Sequence, residues 1–197
     1  LCEKNVKPIK IKKGGASAKY WWRFYRYSPD LYDKIKNIDF VFVTTFVSKH
    51  LCFSPVSSSQ VFSNKLGVLA SDDWALFTVL QSSLHEIWAR QFSTTLETRL
   101  SYTPSDCFLT FPFCKLSTEL RVIGEKYYLQ RKLCMESLNL GLTKTYNMLH
   151  DNLTTNDSIL ELRRLRDVMD SYVLEAYGLN VDSFSKDFHN SPDGYRY

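Results

Sequence analysis

The spacing of hydrophobic residues changes near residue 117. Upstream of it, short β-branched and aromatic runs separated by polar turns predict strands, whereas downstream apolar residues recur at helical spacing. The predicted strands cover residues 39–47, 50–53, 61–62, 66–70 and 96–102. The predicted long helices cover residues 117–138, 142–150 and 158–177. The pattern therefore predicts an α+β (mixed α/β) fold, in which a small mixed β-sheet with packed helices is followed by a C-terminal helical segment.

Two further helices are predicted within the strand-rich part. Ser28-Pro29-Asp30 combines an N-cap oxygen, a proline at the first helical position and an acid near the positive end of the helix dipole. Ser71-Asp72-Asp73 predicts the start of a second helix, whose apolar face runs from Trp74 to Trp88 and which ends where Ser93–Thr95 breaks it. His85 lies within this helical pattern, where we expect a buried structural imidazole.

The same patterns divide the chain into four consecutive parts. Residues 1–19 are expected to be a basic arm or linker, 20–115 a mixed α/β domain, 116–180 a helical segment and 181–197 a loose polar tail. Within the first part, the lysine-rich stretch 7–13 precedes two glycines, which favours a mobile or extended arm. Gly178 follows the last long helix, where a left-handed C-cap residue is expected.

The composition is that of an ordinary globular chain. Of 197 residues, 44% are hydrophobic and 23% charged, and no apolar run approaches the roughly 18 residues that a membrane span requires. Five widely spaced cysteines without a C-x-x-C pair favour reduced thiols over disulfides or a zinc site, so we expect a cytoplasmic protein. Since the chain begins Leu-Cys-Glu and no signal peptide follows, we expect a fragment of a longer protein.

Positive charge is concentrated at one end of the chain. The formal net charge is +4, but residues 1–27 contain eight lysines and arginines against Glu3 alone, so the remainder is net negative. Such a segment could attract a polyanion through its phosphates, or it could be a solvated linker. The aromatic cluster at residues 20–27 favours a core anchor, with stacking on bases as the alternative.

Motifs for catalysis and cofactor binding are absent from the sequence. It contains no adjacent prolines, no Asp/Glu-x-Lys triplet, no glycine-rich phosphate loop and no G-x-S-x-G. Ser105-Asp106-Cys107 resembles a nucleophile site in composition, but a turn is the better interpretation of these residues. We therefore predict no catalytic residue and no metal site in this chain.

A polar row in the predicted strand 96–102 suggests base recognition. Period two places Glu97, Arg99 and Ser101 on one face of that strand. Arginine donors match guanine O6 and N7, and a glutamate accepts from cytosine N4, so one such face could read a G·C pair. On the pattern alone, a solvent-exposed face with a weak Glu–Arg ion pair is the favoured explanation.

Six motifs follow one another along the chain: Trp21–Phe24, Val43–Leu51, Ser71–Asp73, Leu80–Ala89, Tyr102–Phe108 and Gly141–Asn147. In sequence and in order they resemble the C-terminal part of MmeI-type restriction–modification proteins. The resemblance covers nearly residues 1–180. Proteins of this family join a nuclease region, an adenine-N6 methyltransferase, a target recognition domain and a short helical segment in one chain.

The resemblance implies a division of labour along the parent chain. S-adenosylmethionine, and Mg²⁺ if the parent also cuts DNA, would be bound by upstream domains. The 20–115 domain would recognise double-stranded DNA, with base-reading residues at Glu97, Arg99 and Ser101 and a further reading position at Asn64 and Lys65. Cys114 replaces an expected proline and position 101 varies in the family, so the resemblance does not imply a target sequence.

Phosphate contacts would fix the position of the duplex before its bases are read. We assign them to Lys10, Lys12, Lys13, Lys19, Arg23, Lys49 and Lys144. The motif 141–147 is expected either to face a partner surface, such as the methyltransferase domain of the same parent, or to form a helix–turn–helix corner.

The favoured function is therefore sequence-specific recognition of double-stranded DNA by a non-catalytic fragment of an adenine-N6 DNA methyltransferase. The main alternative is a protein-interaction scaffold that docks another subunit or domain. An enzyme of unrecognised type is the third possibility, and the absence of motifs argues against it.

Overall fold

The computed structural model describes residues 1–23, 28–96, 99–184, 187–191 and 194–197. These residues form two compact units, Leu1–Asn37 and Ile38–Tyr197. The predicted boundaries at residues 19 and 115 do not coincide with this division. The α+β fold class itself is confirmed, because small sheets alternate with helices and long helices follow them.

The first unit is helical in its described residues. Its helices are α1 (Cys2–Asn5), α2 (Lys7–Lys13), α3 (Gly15–Lys19) and α4 (Pro29–Ile35). The sequence favours a mobile or extended arm around residues 7–13, and the extended form is wrong: lysine and isoleucine permit a helix there, and Gly14, at φ 68°, ends it. The start of α4 at Pro29 agrees with the sequence prediction.

The strands of the second unit form small antiparallel sheets. In one sheet β1 (Phe40–Thr45) lies between β3 (Ser54–Ser57) and β4 (Leu66–Leu69). In another, β6 (Arg99–Ser101) lies between β2 (Val47–Ser48) and β5 (Thr94–Leu96). Every pairing within the described residues is antiparallel. The prediction of a mixed sheet is therefore wrong.

Two predicted strands are absent from the structure. Residues 50–53 and 61–62 have no strand pairing, and β3 begins after the first of these runs, at Ser54. Leu51 and Phe53 are instead buried in the core, 2% and 3% exposed. Their apolar character thus reflects core packing rather than strand pairing. A short apolar run does not distinguish these two environments.

The helix predicted between its cap at Asp73 and the break at Ser93–Thr95 is two helices. Asp73 caps α5 (Trp74–Gln81) by accepting a hydrogen bond from the Ala75 amide at 2.9 Å, as predicted. Ser82 then adopts an extended conformation and caps α6 (Ser83–Phe92). Its buried hydroxyl donates to the Val79 carbonyl at 2.7 Å and accepts from the His85 amide at 3.3 Å. This local bonding competes with a continuous helix, and so explains the break.

The three predicted C-terminal helices are confirmed as α7 (Thr118–Ser137), α8 (Leu142–Leu149) and α9 (Asp157–Ala176). Side chains of Ser117 and Asn156 cap α7 and α9. Gly178, at φ 70°, follows α9 as predicted.

Helices and sheets of the second unit share one main core. Phe42 of β1, Phe77 of α5, Tyr127 of α7 and Leu162 of α9 belong to a single cluster of buried side chains. Segments 38–115 and 116–180 thus bury their apolar residues together instead of forming separate cores.

The end of the chain packs against this unit. After a short 3₁₀ turn, Val181–Ser183, strands β7 (His189–Ser191) and β8 (Gly194–Arg196) form a hairpin. Arg196 is 5% exposed, and the Tyr197 hydroxyl donates to Asp167 Oδ2 at 2.6 Å. The loose tail expected over 181–197 is therefore wrong for residues 194–197, because buried polar contacts anchor them.

Candidate nucleic-acid interface

The predicted base-reading residues Arg99 and Ser101 lie on β6. Leu100 between them is 1% exposed and packs into the core, whereas Arg99 is exposed and Ser101 is half-buried. Successive strand residues face opposite sides of the sheet. Arg99 and Ser101 therefore point to the side away from the buried Leu100.

The single strand predicted over residues 96–102 is wrong. Leu96 of β5 pairs with Arg99 of β6 in an antiparallel ladder, so the chain reverses between them. The alternating pattern by itself could not separate one strand from two. The predicted base-reading residue Glu97 lies outside the described residues.

The strand pairing brings Lys49 and Arg99 to the same end of the β2–β6 ladder. Val47 pairs with Ser101 and Ser48 with Leu100 in an antiparallel ladder. Lys49 follows Ser48 and Arg99 precedes Leu100, so both residues adjoin the same terminal pair. Lys49 and Arg99 are both exposed. One predicted phosphate contact and one predicted base contact thus lie at the same end of the β2–β6 ladder.

Phe46 connects this ladder to the turn that carries Asn64 and Lys65. Its amide donates to the Lys65 carbonyl at 3.2 Å, and its carbonyl accepts from the Tyr102 amide at 2.7 Å. Asn64 and Lys65 are exposed in the turn before β4. Four of the five predicted base-reading residues therefore belong to two segments that flank Phe46.

The Lys49 side chain is held by α8. Lys49 Nζ donates to Asn147 Oδ1 at 2.9 Å, and the same oxygen lies 2.9 Å from His50 Nε2. An amide oxygen only accepts, so His50 carries its proton on Nε2. Burial lowers the pKa of His50 to about 4, and the imidazole is neutral at pH 7. The predicted phosphate contact Lys144 is exposed on the same helix, three positions before Asn147.

A buried ion cluster lies behind Lys49. Glu86 Oε1 accepts from Arg90 at 2.9 Å and from Arg196 at 3.0 Å, and Glu86 Oε2 accepts from Arg166 at 2.8 Å. Burial opposes ionisation of this carboxyl, but the guanidinium groups of Arg166, Arg196 and Arg90 outweigh it and hold the pKa of Glu86 well below its usual range. Glu86 is therefore ionised across the neutral range.

A cleft of about 220 Å³ opens beside the same residues. Lys49 and His50 line one side, and Thr143 and Tyr146 of α8 line another. Burial raises the pKa of Tyr146 well above that of a free tyrosine, so the phenol stays protonated. Lys49 is the basic side chain of the lining, beside the neutral His50 and Tyr146.

The other predicted phosphate contacts belong to the first unit. Lys12 and Lys13 end α2 as exposed side chains, and Lys10 is half-buried one turn earlier. Lys19 Nζ and the Arg23 guanidinium lie 5.3 and 4.5 Å from the centre of the Tyr20 ring. The cations are thus on helix ends and around an aromatic ring rather than along an extended arm.

The residues considered for catalysis form a turn. Ser105 donates to the Asp106 carboxylate at 2.9 Å, and both precede the buried Cys107 in a helical turn, Pro104–Phe108. Burial raises the pKa of the Cys107 thiol, which disfavours the nucleophilic thiolate. Among the residues that the structure describes, no three His, Cys, Asp or Glu side chains come together to hold a metal ion.

Together, the fold and the candidate interface define a class: an α+β domain with exposed cations at one end of the β2–β6 ladder, beside a cleft. The family model for the MmeI target recognition domain matches residues 10–115, more than half of the chain. The chain therefore belongs to the MmeI target recognition domain family. This match confirms the family resemblance that the sequence motifs predict.

One solved structure has the same fold over most of the chain. It is that of the type IIL restriction-modification enzyme MmeI in complex with DNA, with a TM-score of 0.62 at 20% sequence identity over 90% of this chain. The present chain covers 23% of the MmeI chain. A search of curated proteins found no significant match. No helix in the described part of the chain is long and apolar enough to cross a membrane.

Sequence reasoning missed the residues that support Lys49. Glu86 and Arg90 have the i,i+4 spacing of a helical ion pair, which is ordinarily a solvent-exposed feature. Asn147 belongs to one of the six family motifs, but nothing in its spacing indicates a bond to Lys49. Arg196 had no local signal at all, because it reaches Glu86 only through the fold.

Proposed function

We propose that this chain recognises a specific sequence in double-stranded DNA as part of a type II restriction–modification enzyme that methylates adenine at N6. Membership of the target recognition family supports DNA sequence recognition in such an enzyme. The related MmeI structure was solved in complex with DNA, which supports duplex DNA as the ligand.

The proposal for individual residues rests on the β2–β6 ladder. It places exposed Lys49 and exposed Arg99 at one end of a strand pair, with Asn64 and Lys65 connected through Phe46. In the proposed complex Lys49 and Lys144 bind phosphate, while Arg99 and Ser101 contact base edges. Asn64, Lys65 and Glu97 remain proposed reading positions.

Arginine is the residue of choice for such readout because its donors match guanine O6 and N7, and a good bidentate contact discriminates by about 1–3 kcal/mol. The lysines contribute affinity without sequence preference. Lys10, Lys12, Lys13, Lys19 and Arg23 are proposed as further phosphate contacts of this second kind. Residues 10–115 would supply recognition, and methylation would belong to the upstream domains of the parent.

The experiment that tests base reading is Arg99→Ala in the full-length protein, followed by mapping of methylated adenines in genomic DNA. We expect the modified sites to become less specific at one base pair of the target. Arg164→Ala is a matched control, since Arg164 is paired with Glu161 on the outer face of α9. An unchanged set of methylated sites in the Arg99 variant would disprove its base-reading role.

An apolar docking surface on α7 favours a second function, that of a protein-interaction scaffold. Val122, Leu129 and Leu133 are 61%, 50% and 59% exposed. Their spacing along α7 places them on one face of the helix. The methyltransferase domain of the same parent is a proposed partner for this face.

Salt dependence separates the two functions. Binding to duplex DNA through several phosphates weakens steeply with salt, with a slope of about 0.9 per phosphate contact on logarithmic axes, whereas apolar docking is nearly insensitive. A fluorescein-labelled duplex of mixed sequence, titrated with the full-length protein at several salt concentrations, distinguishes them. A flat salt response would contradict the DNA-binding proposal.

A further inference from the structure

The backbone of Lys49 is held by two arginines that are distant in sequence. Arg90 Nη2 donates to the Lys49 carbonyl oxygen at 3.1 Å, and Arg196 Nη2 donates to the same oxygen at 3.0 Å. Arg90 belongs to α6, whereas Arg196 belongs to β8, near the last residue of the chain. The two donors thus approach one carbonyl from different parts of the fold.

Glu86 fixes both arginines. Its Oε1 atom accepts from Arg90 and Arg196, and its side chain is 9% exposed against 12% and 6% for the two partners. Buried charge-assisted hydrogen bonds are short and directional, and water competes poorly for them. The guanidinium groups therefore present their remaining donors to Lys49 in a defined direction.

The hairpin that carries Arg196 has further anchors. The Tyr197 amide donates to His150 Nδ1 at 3.2 Å, and the Tyr197 hydroxyl donates to Asp167. Burial, assisted by Arg166, lowers the pKa of His150 to about 2, so the ring is neutral and can accept this bond at pH 7. The end of β8 is thereby attached to α8 and α9.

Lys49 is consequently constrained at both ends. The two arginines hold its carbonyl group, and Asn147 holds its ammonium group at 2.9 Å. Immobilising a mobile, rotamer-rich side chain on binding costs free energy, so a lysine that is already ordered binds phosphate more favourably. The constraint matters for function because Lys49 is exposed at the end of the β2–β6 ladder.

We propose that Arg196 is a positioning residue for DNA binding, which acts through the Lys49 backbone and need not itself contact DNA. Arg90 has the same role from α6. The inference rests on the proposed function of Lys49 as a phosphate contact. It assigns a part in DNA affinity to the C-terminal hairpin, which lies outside the matched recognition domain at residues 10–115.

A double-mutant cycle in the full-length protein tests this role. Arg196→Gln, Lys49→Ala and the double variant are compared with the wild type, using a fluorescein-labelled duplex of mixed sequence at low salt. We expect Arg196→Gln to weaken binding roughly two- to tenfold in the wild-type background, from the ordering cost of about one side chain and its loop. In the Lys49→Ala background the same substitution should have no further effect.

Three outcomes discriminate the possibilities. If Arg196→Gln weakens binding equally in both backgrounds, or in neither, Arg196 does not act through Lys49 and this inference fails while the proposed function stands. If Lys49→Ala leaves affinity and salt slope unchanged, Lys49 is not a phosphate contact, and the inference fails with it. If the wild-type protein does not bind duplex DNA, the proposed function itself fails.

Two further variants guard against a general structural effect. Arg164→Gln breaks the exposed ion pair with Glu161 and should leave affinity unchanged. Should Arg196→Gln prevent folding, as judged by its thermal unfolding curve, Arg90→Gln removes the other donor to the same carbonyl and is subjected to the same cycle. An additive effect of Arg90→Gln and Lys49→Ala would then overturn the proposal.

Discussion

Glu86 and Arg196 are 110 positions apart in the chain, yet the Arg196 guanidinium donates to Glu86 Oε1 at 3.0 Å. Both residues are buried, at 7% and 5% exposure. Solvent and salt therefore screen this pair less than a surface ion pair. The contact attaches the end of the chain to α6, directly behind the exposed Lys49.

Replacing Glu86 with glutamine should destabilise the second unit strongly. Arg166 and Arg196 would lose their anionic partner while remaining buried, and removing one member of a buried ion pair typically costs about 3–5 kcal/mol. Urea denaturation at pH 7 measures the loss. Glu125→Gln, an exposed carboxylate on α7, is the matched control and should change stability by less than about 0.5 kcal/mol.

The same residue should make stability depend on pH. Arg166, Arg196 and Arg90 keep the pKa of Glu86 lower in the folded chain than its unfolded value near 4.5. Its contribution is therefore fully present above that value and is lost as the pH falls towards the folded pKa. Between pH 5 and 3, the free energy of unfolding should fall more steeply for the wild type than for Glu86→Gln. Parallel pH profiles would contradict this assignment.

Gly124→Ala should destabilise the packing of α7 against α5. A Cβ atom at Gly124 would collide with the Thr78 hydroxyl and lie 2.7 Å from the Trp74 carbonyl oxygen. The Thr78 hydroxyl donates to the Leu120 carbonyl at 2.7 Å, so it cannot move away without losing that bond. Overpacking of this kind costs about 1–3 kcal/mol.

Thermal or urea unfolding measures the effect of Gly124→Ala. Gly141→Ala is a suitable comparison, because a Cβ there meets nothing within 4 Å. If the two alanine variants are equally stable, the close approach of α5 and α7 is not as described.

Arg131→Met should lower the stability of the second unit, because Arg131 is a buried arginine whose hydrogen-bond partners are neutral groups. Arg131 is 1% exposed, and it donates to the Phe53 carbonyl at 2.8 Å and to the Tyr146 hydroxyl at 3.1 Å. Methionine fills much of the space but leaves these acceptors without their donor. Each unsatisfied buried group costs about 1–3 kcal/mol, so urea denaturation should show a loss of several kcal/mol. Lys132→Met, at an exposed position of α7, should be nearly neutral.

Charge removal from α2 should weaken binding to all duplexes alike. If Lys10, Lys12 and Lys13 bind phosphate, their replacement by glutamine lowers the slope of log affinity against log salt by about 0.9 per lost contact. Duplexes with and without the mapped methylation site should lose affinity by the same factor. Glutamines at Lys126 and Lys132 of α7 provide the control. A loss confined to the methylation site would instead assign these lysines to base reading.

Local sequence features were sufficient where one element carries its own signal. The helices α7 and α9 are 20 residues long, and their apolar residues repeat at helical spacing over several turns. Asp73 caps α5 through its own side chain, which needs no distant partner. The ordered motifs within residues 10–115 likewise indicate the family by themselves, because each motif is a run of adjacent residues.

Elsewhere the decisive interactions are between residues far apart in sequence. An alternating run at 96–102 is compatible with one strand or two, and the pairing of Ser48 with Leu100 belongs to the tertiary structure. Ser82 breaks a helix that its apolar pattern would continue, because its hydroxyl is buried and bonds the local backbone.

The sequence by itself determined the fold class, the C-terminal helices and the concentration of positive charge in the first segment, because propensity, periodicity and charge are local properties. Tertiary structure alone decided that Arg90, Asn147 and Arg196 meet at Lys49. Glu86 and Arg90 have the spacing of a surface ion pair, but the fold buries this pair, and Arg90 donates to the Lys49 carbonyl. Hydrophobic packing drives such burial without respect to sequence distance, and the support of the candidate interface could therefore not be predicted from the pattern.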